Sequence, residues 1–331
     1  MRYLTSLISL LILTSCSQSA PPDWALVVHG GAGTIHASTL NAEQQAQYHQ
    51  SLDEALVAGE HVLESGGSSL DAVTAAIQVL EQSPLFNAGR GAVFTHEGRN
   101  ELDASIMDGR DLNAGAVAGV TVIKSPIAAA RAVMEDSPHV MLSGVGAEEF
   151  ARERGLEIVE PAYFYTERRW QDLQKAQQNE QKPQASLQGS KDWKFGTVGA
   201  VALDRDGNLA AGTSTGGMTN KRWGRIGDAP VIGAGTYAAN ESCAVSATGH
   251  GEYFIRRTVA RDICARVQFA GASLPDAAAQ VIQDILKPMG GEGGIIALDT
   301  QGNMVMEFNS AGMFRGSVSS RQARHTALFH K

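Results

Sequence analysis

Apolar and polar positions alternate along this chain in blocks that change period. Ala25–His29 is a short apolar run that ends in Gly30-Gly31-Ala32-Gly33, the pattern of a buried strand. Asn41 with Gln44 three residues later forms a capping-box signature, predicting a long helix that stops at Gly66. Ala72, Val73, Ala76, Ile77 and Leu80 recur at helical spacing and predict a second helix over Leu70–Glu81. Val117–Ile123 reads as a strand, and Ile127–Met134 and Ala147–Arg154 as helices. From Glu167 to Lys194 the aliphatic pattern stops; the segment is polar and Gln-rich and predicts a disordered linker, partly helical at most. Strand signals resume at Gly196 and run through Leu203. Asp204–Asn208 and Asp299–Asn303 each place Gly-Asn between apolar runs, predicting two hairpins. Between them lie two helices, Glu252–Phe269 and Leu274–Leu286. Strands and helices come in blocks, which favours two packed sheets flanked by helices over one doubly wound sheet.

Composition sharpens this reading. The chain has 331 residues, 43% of them hydrophobic, enough for one large domain or two small ones. Its 36 glycines exceed the roughly 7% of an average chain, which implies many tight backbone positions. A net charge of −8 argues against a nucleic-acid partner, which demands a basic footprint. Residues 1–15 carry Arg2, the apolar run Leu7–Leu13 and then Thr14-Ser15 before Cys16. That is a signal-peptide layout too short to span a bilayer, and its end resembles a bacterial lipobox with Cys16 as the lipidated residue. The chain is therefore expected to be exported, as a periplasmic or outer-membrane lipoprotein tethered through residues 16–24, with the lipid as its only membrane contact. Cys243 and Cys264 remain; a disulfide and two buried thiols are both compatible with the sequence. No Cys/His cluster has zinc spacing.

Two kinds of hydrolase can be read from the same residues. Gly212-Thr213-Ser214-Thr215-Gly216 is a literal G-x-S-x-G, and His29-Gly30-Gly31 resembles an esterase oxyanion motif. Ser214 would then be the nucleophile, with His250 or His325 as base. A nucleophile elbow must launch a helix, however, and Gly217–Pro230 leaves no room for one. Thr197 offers different chemistry. Cleavage after Gly196 would give Thr197 a free α-amine, whose reference pKa of about 7.7–8.0 suits a base for its own hydroxyl. A dispensable linker followed by Gly-Thr and a hydrophobic strand fits such a cleavage, and fits an ordinary linker as well.

Gly196–Val201, Thr213–Lys221, Gly224–Pro230 and Ala247–Glu252 together resemble the plant-type L-asparaginase/isoaspartyl peptidase family of N-terminal-nucleophile threonine hydrolases. His29–Gly33, Leu85–Gly89 and Glu101–Gly109 extend the resemblance to nearly the whole chain from Ala25 onward. The resemblance implies an α+β fold, a four-layer αββα sandwich, autoproteolytically cleaved into an α subunit (25–196, behind the tether) and a β subunit (197–331). It implies Thr197 as nucleophile, first of the Gly196–Thr197 bond and then of substrate, oriented by Thr215 and Asn87. Thr248 and Gly249 match the oxyanion hole. Arg225 would take a substrate α-carboxylate, and Asp228 with the Gly251 carbonyl its α-ammonium. Main-chain oxygens of Leu80, Glu81, Ser83, Phe86, Ala88 and Arg90 match a sodium loop; no organic cofactor is implied. The expected substrates are L-asparagine and β-aspartyl dipeptides, and the expected assembly a dimer of αβ units. A glycosylasparaginase-type hydrolase and a non-catalytic surface binding lipoprotein are the alternatives. His250 stands where the family often has a small polar residue, and no role is assigned to it.

Overall fold

A computed structural model describes residues 21–180 and 196–330. The apolar leader, Cys16 and the second half of the linker lie outside these residues. The first part of the chain forms β1 (Ala25–Gly33), α1 (Ala42–Glu64), α2 (Ser69–Gln82), β2 (Leu102–Asp108) and β3 (Ala114–Val120). There follow α3 (Pro126–Asp136), β4 (Met141–Ser143), α4 (Gly144–Glu153) and α5 (Glu167–Glu180). After Thr197 come β5 (Val198–Leu203), β6 (Leu209–Thr215), β7 (Thr236–Ala238) and β8 (Ala244–Gly249). Three helices succeed them: α6 (Gly251–Arg257), α7 (Val259–Ala270) and α8 (Leu274–Ala279), the last running on as a π-helical stretch, Gln280–Leu286. The chain ends with β9 (Gly293–Leu298), β10 (Met304–Phe308), β11 (Gly312–Ser319) and β12 (Gln322–Phe329).

These strands make an eight-stranded sheet in the order β12-β11-β1-β5-β6-β2-β3-β4 and a four-stranded sheet in the order β10-β9-β8-β7. Three apolar clusters show how they stack. Ala25, Val27, Val201, Ala211, Ile296 and Leu298 meet between the two sheets. Leu26 and Val28, on the opposite face of β1, pack with Leu52, Leu56, Val73 and Ile77 of α1 and α2. Val245 and Ile295, on the outer face of the small sheet, pack with Ile263, Leu274 and Val281. Successive strand residues point to opposite faces, so a strand covered on both sides must be apolar throughout. β1 and β5 are buried at every position. The result is four layers, helix–sheet–sheet–helix.

The capping box at Asn41 is present, Asn41 and Gln44 each satisfying the other's backbone N–H. Such a cap is typically worth about 1 kcal/mol. Both hairpins form, β5 with β6 and β9 with β10. Two expectations need correction. The predicted single helix Glu252–Phe269 is broken at Thr258, whose backbone is left-handed (φ 47°). The amides of Ala260 and Arg261 donate to the carbonyls of Ala234 and Gly233, so α7 starts afresh on that loop. The linker expected over 167–194 is an ordered helix over 167–180. Buried Arg169 donates to the Gly91 carbonyl at 2.8 Å, Leu173 is buried, and Gln177 donates to the His96 carbonyl at 2.9 Å. Glu180, at the end of α5, accepts from Asn220 and Arg222, each at 2.8 Å. Cys243 and Cys264 form a disulfide linking the approach to β8 with α7. Among the described residues no helix is long and apolar enough to cross a membrane.

Candidate active site

Strand register assembles the site. Val198 on β5 pairs with Ser214 on β6, so Thr197, one residue earlier, stands beside Thr215. The Thr197 hydroxyl donates to Thr215 Oγ1 at 3.1 Å. Thr215 Oγ1 in turn donates to the Gly196 carbonyl at 3.2 Å, and Asn87 Nδ2 donates to the same oxygen at 2.7 Å. Asn87 is fixed by its other bonds: Nδ2 also reaches the Gly217 carbonyl at 2.7 Å, and Oδ1 accepts from the Val93 amide at 2.9 Å. The Gly196–Thr197 bond therefore carries two donors on its carbonyl oxygen and a threonine hydroxyl alongside. Gly31 (φ 114°) closes the other side, where a Cβ would come within 2.9 Å of Gly196 Cα.

Thr248 and Gly249 end β8 in the opposing sheet. Thr248 is fully buried, and its hydroxyl accepts the Ala32 amide at 3.2 Å, which ties it to the end of β1 next to Gly31. Gly249 has no room for a side chain; a Cβ would meet the Glu292 carbonyl at 2.5 Å. Arg225 and Asp228 lie on the loop between β6 and β7. A Cβ on Gly251 would stand 2.8 Å from both Arg225 Nη2 and Asp228 Oδ1, so cation and anion converge on that glycine. Asp228 Oδ2 is buried without a hydrogen-bond partner. Burial pushes the Asp228 carboxyl up to about 7, against the opposing charge of Arg225. An orphaned buried carboxylate oxygen is costly unless something binds it.

Ser214 is not an exposed nucleophile. It is wholly buried inside β6 and donates to Glu81 Oε1 at 2.6 Å, and the next helix after β6 begins only at Gly251. The Glu81 carboxylate also accepts from Ser125 at 2.6 Å and from the Ile127 amide at 3.0 Å, bracing β6 from behind. Sequence reasoning assigned no part to this side chain, nor to His29 or Glu252. His29 is buried between the sheets, with Nε2 2.9 Å from Ser246 Oγ. Burial pushes it down to about 3, so the ring is neutral. Ser246, Thr213, Thr236 and Ser105 continue from it as linked hydroxyls to the Ala229 carbonyl, beside Asp228. Glu252 chelates Arg225. Single polar residues in apolar runs mark these groups in the sequence, but nothing there says which of them meet.

Among the described residues no group of three or more His, Cys, Asp and Glu side chains could hold a metal ion. The loop after α2 offers main-chain oxygens instead. A Cβ on Gly89 would lie 2.3 Å from the Glu81 carbonyl, and one on Gly91 would lie 2.0 Å from that of Phe86. The chain thus folds back closely over two of the carbonyls expected in a sodium loop, and a side chain at Gly89 or Gly91 would strike them.

Comparison with known proteins agrees with this geometry. The family model Asparaginase_2, described as asparaginase, matches residues 22–328. An isoaspartyl peptidase of Escherichia coli is 50% identical over 292 residues, covering 88% of this chain and 91% of that protein. A probable isoaspartyl peptidase/L-asparaginase 2 of Arabidopsis thaliana is 44% identical, with 92% and 99% covered. The isoaspartyl peptidase/L-asparaginase of Homo sapiens is 40% identical, with 87% and 91% covered. A match that spans both sheets, every helix and both sides of the Gly196–Thr197 bond leads to one conclusion: the chain belongs to the asparaginase family, the four-layer hydrolases with an N-terminal nucleophile.

Proposed function

We propose that this protein is an isoaspartyl peptidase/L-asparaginase that first cleaves itself between Gly196 and Thr197. The observation that carries the proposal is the Gly196 carbonyl, held by Asn87 and Thr215 beside the Thr197 hydroxyl. In self-cleavage, Thr197 Oγ attacks the Gly196 carbonyl carbon while the oxygen takes up negative charge against the Asn87 amide and Thr215 hydroxyl. The C–N bond breaks, the proton given up by Oγ passes to the Thr197 nitrogen, and the acyl group sits on Oγ as an ester. Water hydrolyses that ester, leaving a Gly196 carboxylate and a Thr197 with free amine and hydroxyl.

The mature site then repeats the chemistry on substrate. The α-amine takes the Oγ proton, and Oγ attacks the β-carbonyl of asparagine or a β-aspartyl peptide. The developing oxyanion falls to the Thr248 hydroxyl and Gly249 N–H; one such donor is typically worth about 3–4 kcal/mol. Ammonia, or the amino group of the next residue, leaves with a proton. Water attacks the β-aspartyl-Thr197 ester and releases aspartate. Arg225 pairs with the α-carboxylate, and Asp228 with the Gly251 carbonyl receives the α-ammonium. Burial of Asp228 with one oxygen unpartnered supports this, because the ammonium would supply the missing donor. The carbonyls of Leu80, Glu81, Ser83, Phe86, Ala88 and Arg90 would hold a sodium ion that stiffens the loop carrying Asn87. The working particle would be a dimer of αβ units, anchored outside the cytoplasm through Cys16.

Mass spectrometry of purified wild type and Thr197→Ala tests the central claim. Wild type should separate into two chains divided at Gly196/Thr197 and hydrolyse both substrates; Thr197→Ala should stay whole and inactive. An uncleaved wild type with full activity refutes the mechanism.

A further inference from the structure

Arginine presents two edges to carboxylates: a side edge, Nε with Nη2, and an end edge, Nη1 with Nη2. In this structure Glu252 occupies the side edge of Arg225, with Nε donating to Oε1 and Nη2 to Oε2, each at 3.0 Å. The end edge points elsewhere. A Cβ on Gly227 would stand 2.7 Å from Nη1, one on Gly217 3.6 Å from Nη1, and one on Gly251 2.8 Å from Nη2. Gly217 holds Asn87, and Gly251 is the meeting point with Asp228. The end edge thus opens onto side-chain-free backbone next to the nucleophile, while the side edge is tied back.

From this we infer that Glu252 is a positioning residue for substrate specificity: it clamps the guanidinium by one edge so that the other faces the α-carboxylate of the substrate. The inference rests on the reading of Arg225 as the carboxylate receptor. The geometry suits the task. The Arg225 side chain is 17% exposed and that of Glu252 45%, so the clamp is applied from the solvent side of the pocket. Burial acts to raise the Glu252 carboxyl, but the hydrogen bond and charge of Arg225 outweigh it and hold the group below the usual range. It is therefore ionised at neutral pH. His250 Nε2 lies 3.4 Å from Glu252 Oε2, the oxygen that Arg225 Nη2 also reaches. A long arginine has several rotamers, and fixing one before substrate arrives removes an ordering cost from binding.

The opposite behaviour is just as definite. If Glu252 merely filled the place of the substrate carboxylate, it would compete, and its removal would tighten binding. Steady-state kinetics of Glu252→Gln and Glu252→Ala, with L-asparagine and β-aspartyl-leucine, separates the two. Positioning predicts that Glu252→Ala raises KM about threefold to fivefold, as loss of a partly exposed charge pair can. Glu252→Gln should fall between it and wild type, and kcat should stay within about twofold. Wild type should also strongly prefer substrate with a free α-carboxylate over its α-amide, and Glu252→Ala should narrow that preference. An unchanged or lowered KM, or an undiminished preference, overturns the inference. Complete cleavage at Gly196/Thr197, read by mass spectrometry, reports an intact fold; should Glu252→Ala fail it, the isosteric Glu252→Gln decides. Arg225→Lys separates the two levels. If it leaves KM unaltered, the carboxylate receptor itself is misassigned, whatever Glu252 does.

Discussion

A threonine hydroxyl is a poor nucleophile, and single residues around Thr197 compensate for that weakness. Thr215 accepts its hydrogen bond, Asn87 donates to the Gly196 carbonyl, and neutral His29 is buried between the sheets without offering a charge. Thr197, Thr215, Asn87, Thr248, Arg225 and Asp228 were all legible as motif residues. The supporting groups Glu81, on Ser214, His29, on Ser246, and Glu252, on Arg225, were not, because a side chain braced from another element leaves no local pattern. Asp228 makes the sharpest prediction at this scale. Burial raises its carboxyl to about 7, and it must be ionised to receive an ammonium. Below that pH the free site is protonated, so KM should climb as pH falls through 7, and Asp228→Asn should flatten that dependence while raising KM throughout. The stability effect has the opposite sign. A carboxyl raised in the folded state stabilises the fold below its ordinary pKa near 4 and loses that contribution as pH rises through about 7. The Tm of Asp228→Asn relative to wild type should therefore improve from pH 4 to pH 8; a constant difference refutes the assignment.

Elements carry the consequence of cleavage. β1 lies between β11 and β5, one of its pairings continuing from Ala25 to Gly33, and β2 pairs with β6 across Asp103–Asp108. Segments from before and after Gly196 are thus interleaved in one sheet, and cutting a single peptide bond breaks none of those ladders. The two chains should co-elute in gel filtration after cleavage and part only in denaturant; separation under native conditions would show that the interleaved order is wrong. Most elements were foreseeable, since apolar period and caps are local properties. The helix α5 was not. It docks with few apolar residues, and its anchors are a buried arginine on a carbonyl and a terminal glutamate on Asn220 and Arg222. Periodicity cannot register such an attachment, so a polar helix reads as linker. The break at Thr258 has no local signature for the same reason: distant carbonyls at Gly233 and Ala234 accompany it.

For the whole molecule, the acidic charge and the glycine surplus set the frame, and export with a lipid anchor is the proposal for residues 1–16. If Cys16 is the lipid attachment site, Cys16→Ser should move the protein from the membrane fraction to the soluble fraction with activity intact; unchanged fractionation removes the anchor from the proposal. The Cys243–Cys264 disulfide decides a pairing that the sequence left open.

The amino-acid order by itself determined β1, β3, β5, the two hairpins and the capped helices, because these depend on neighbours within a few residues, and the family resemblance, because its motifs recur in order along the chain. Only the tertiary structure decided that Glu81 braces β6, that α5 is held in place, and which edge of Arg225 faces the site. Each of those depends on groups brought together from distant parts of the chain by the packing of four layers, and a hydrogen bond across such a distance has no signature until both ends are in place.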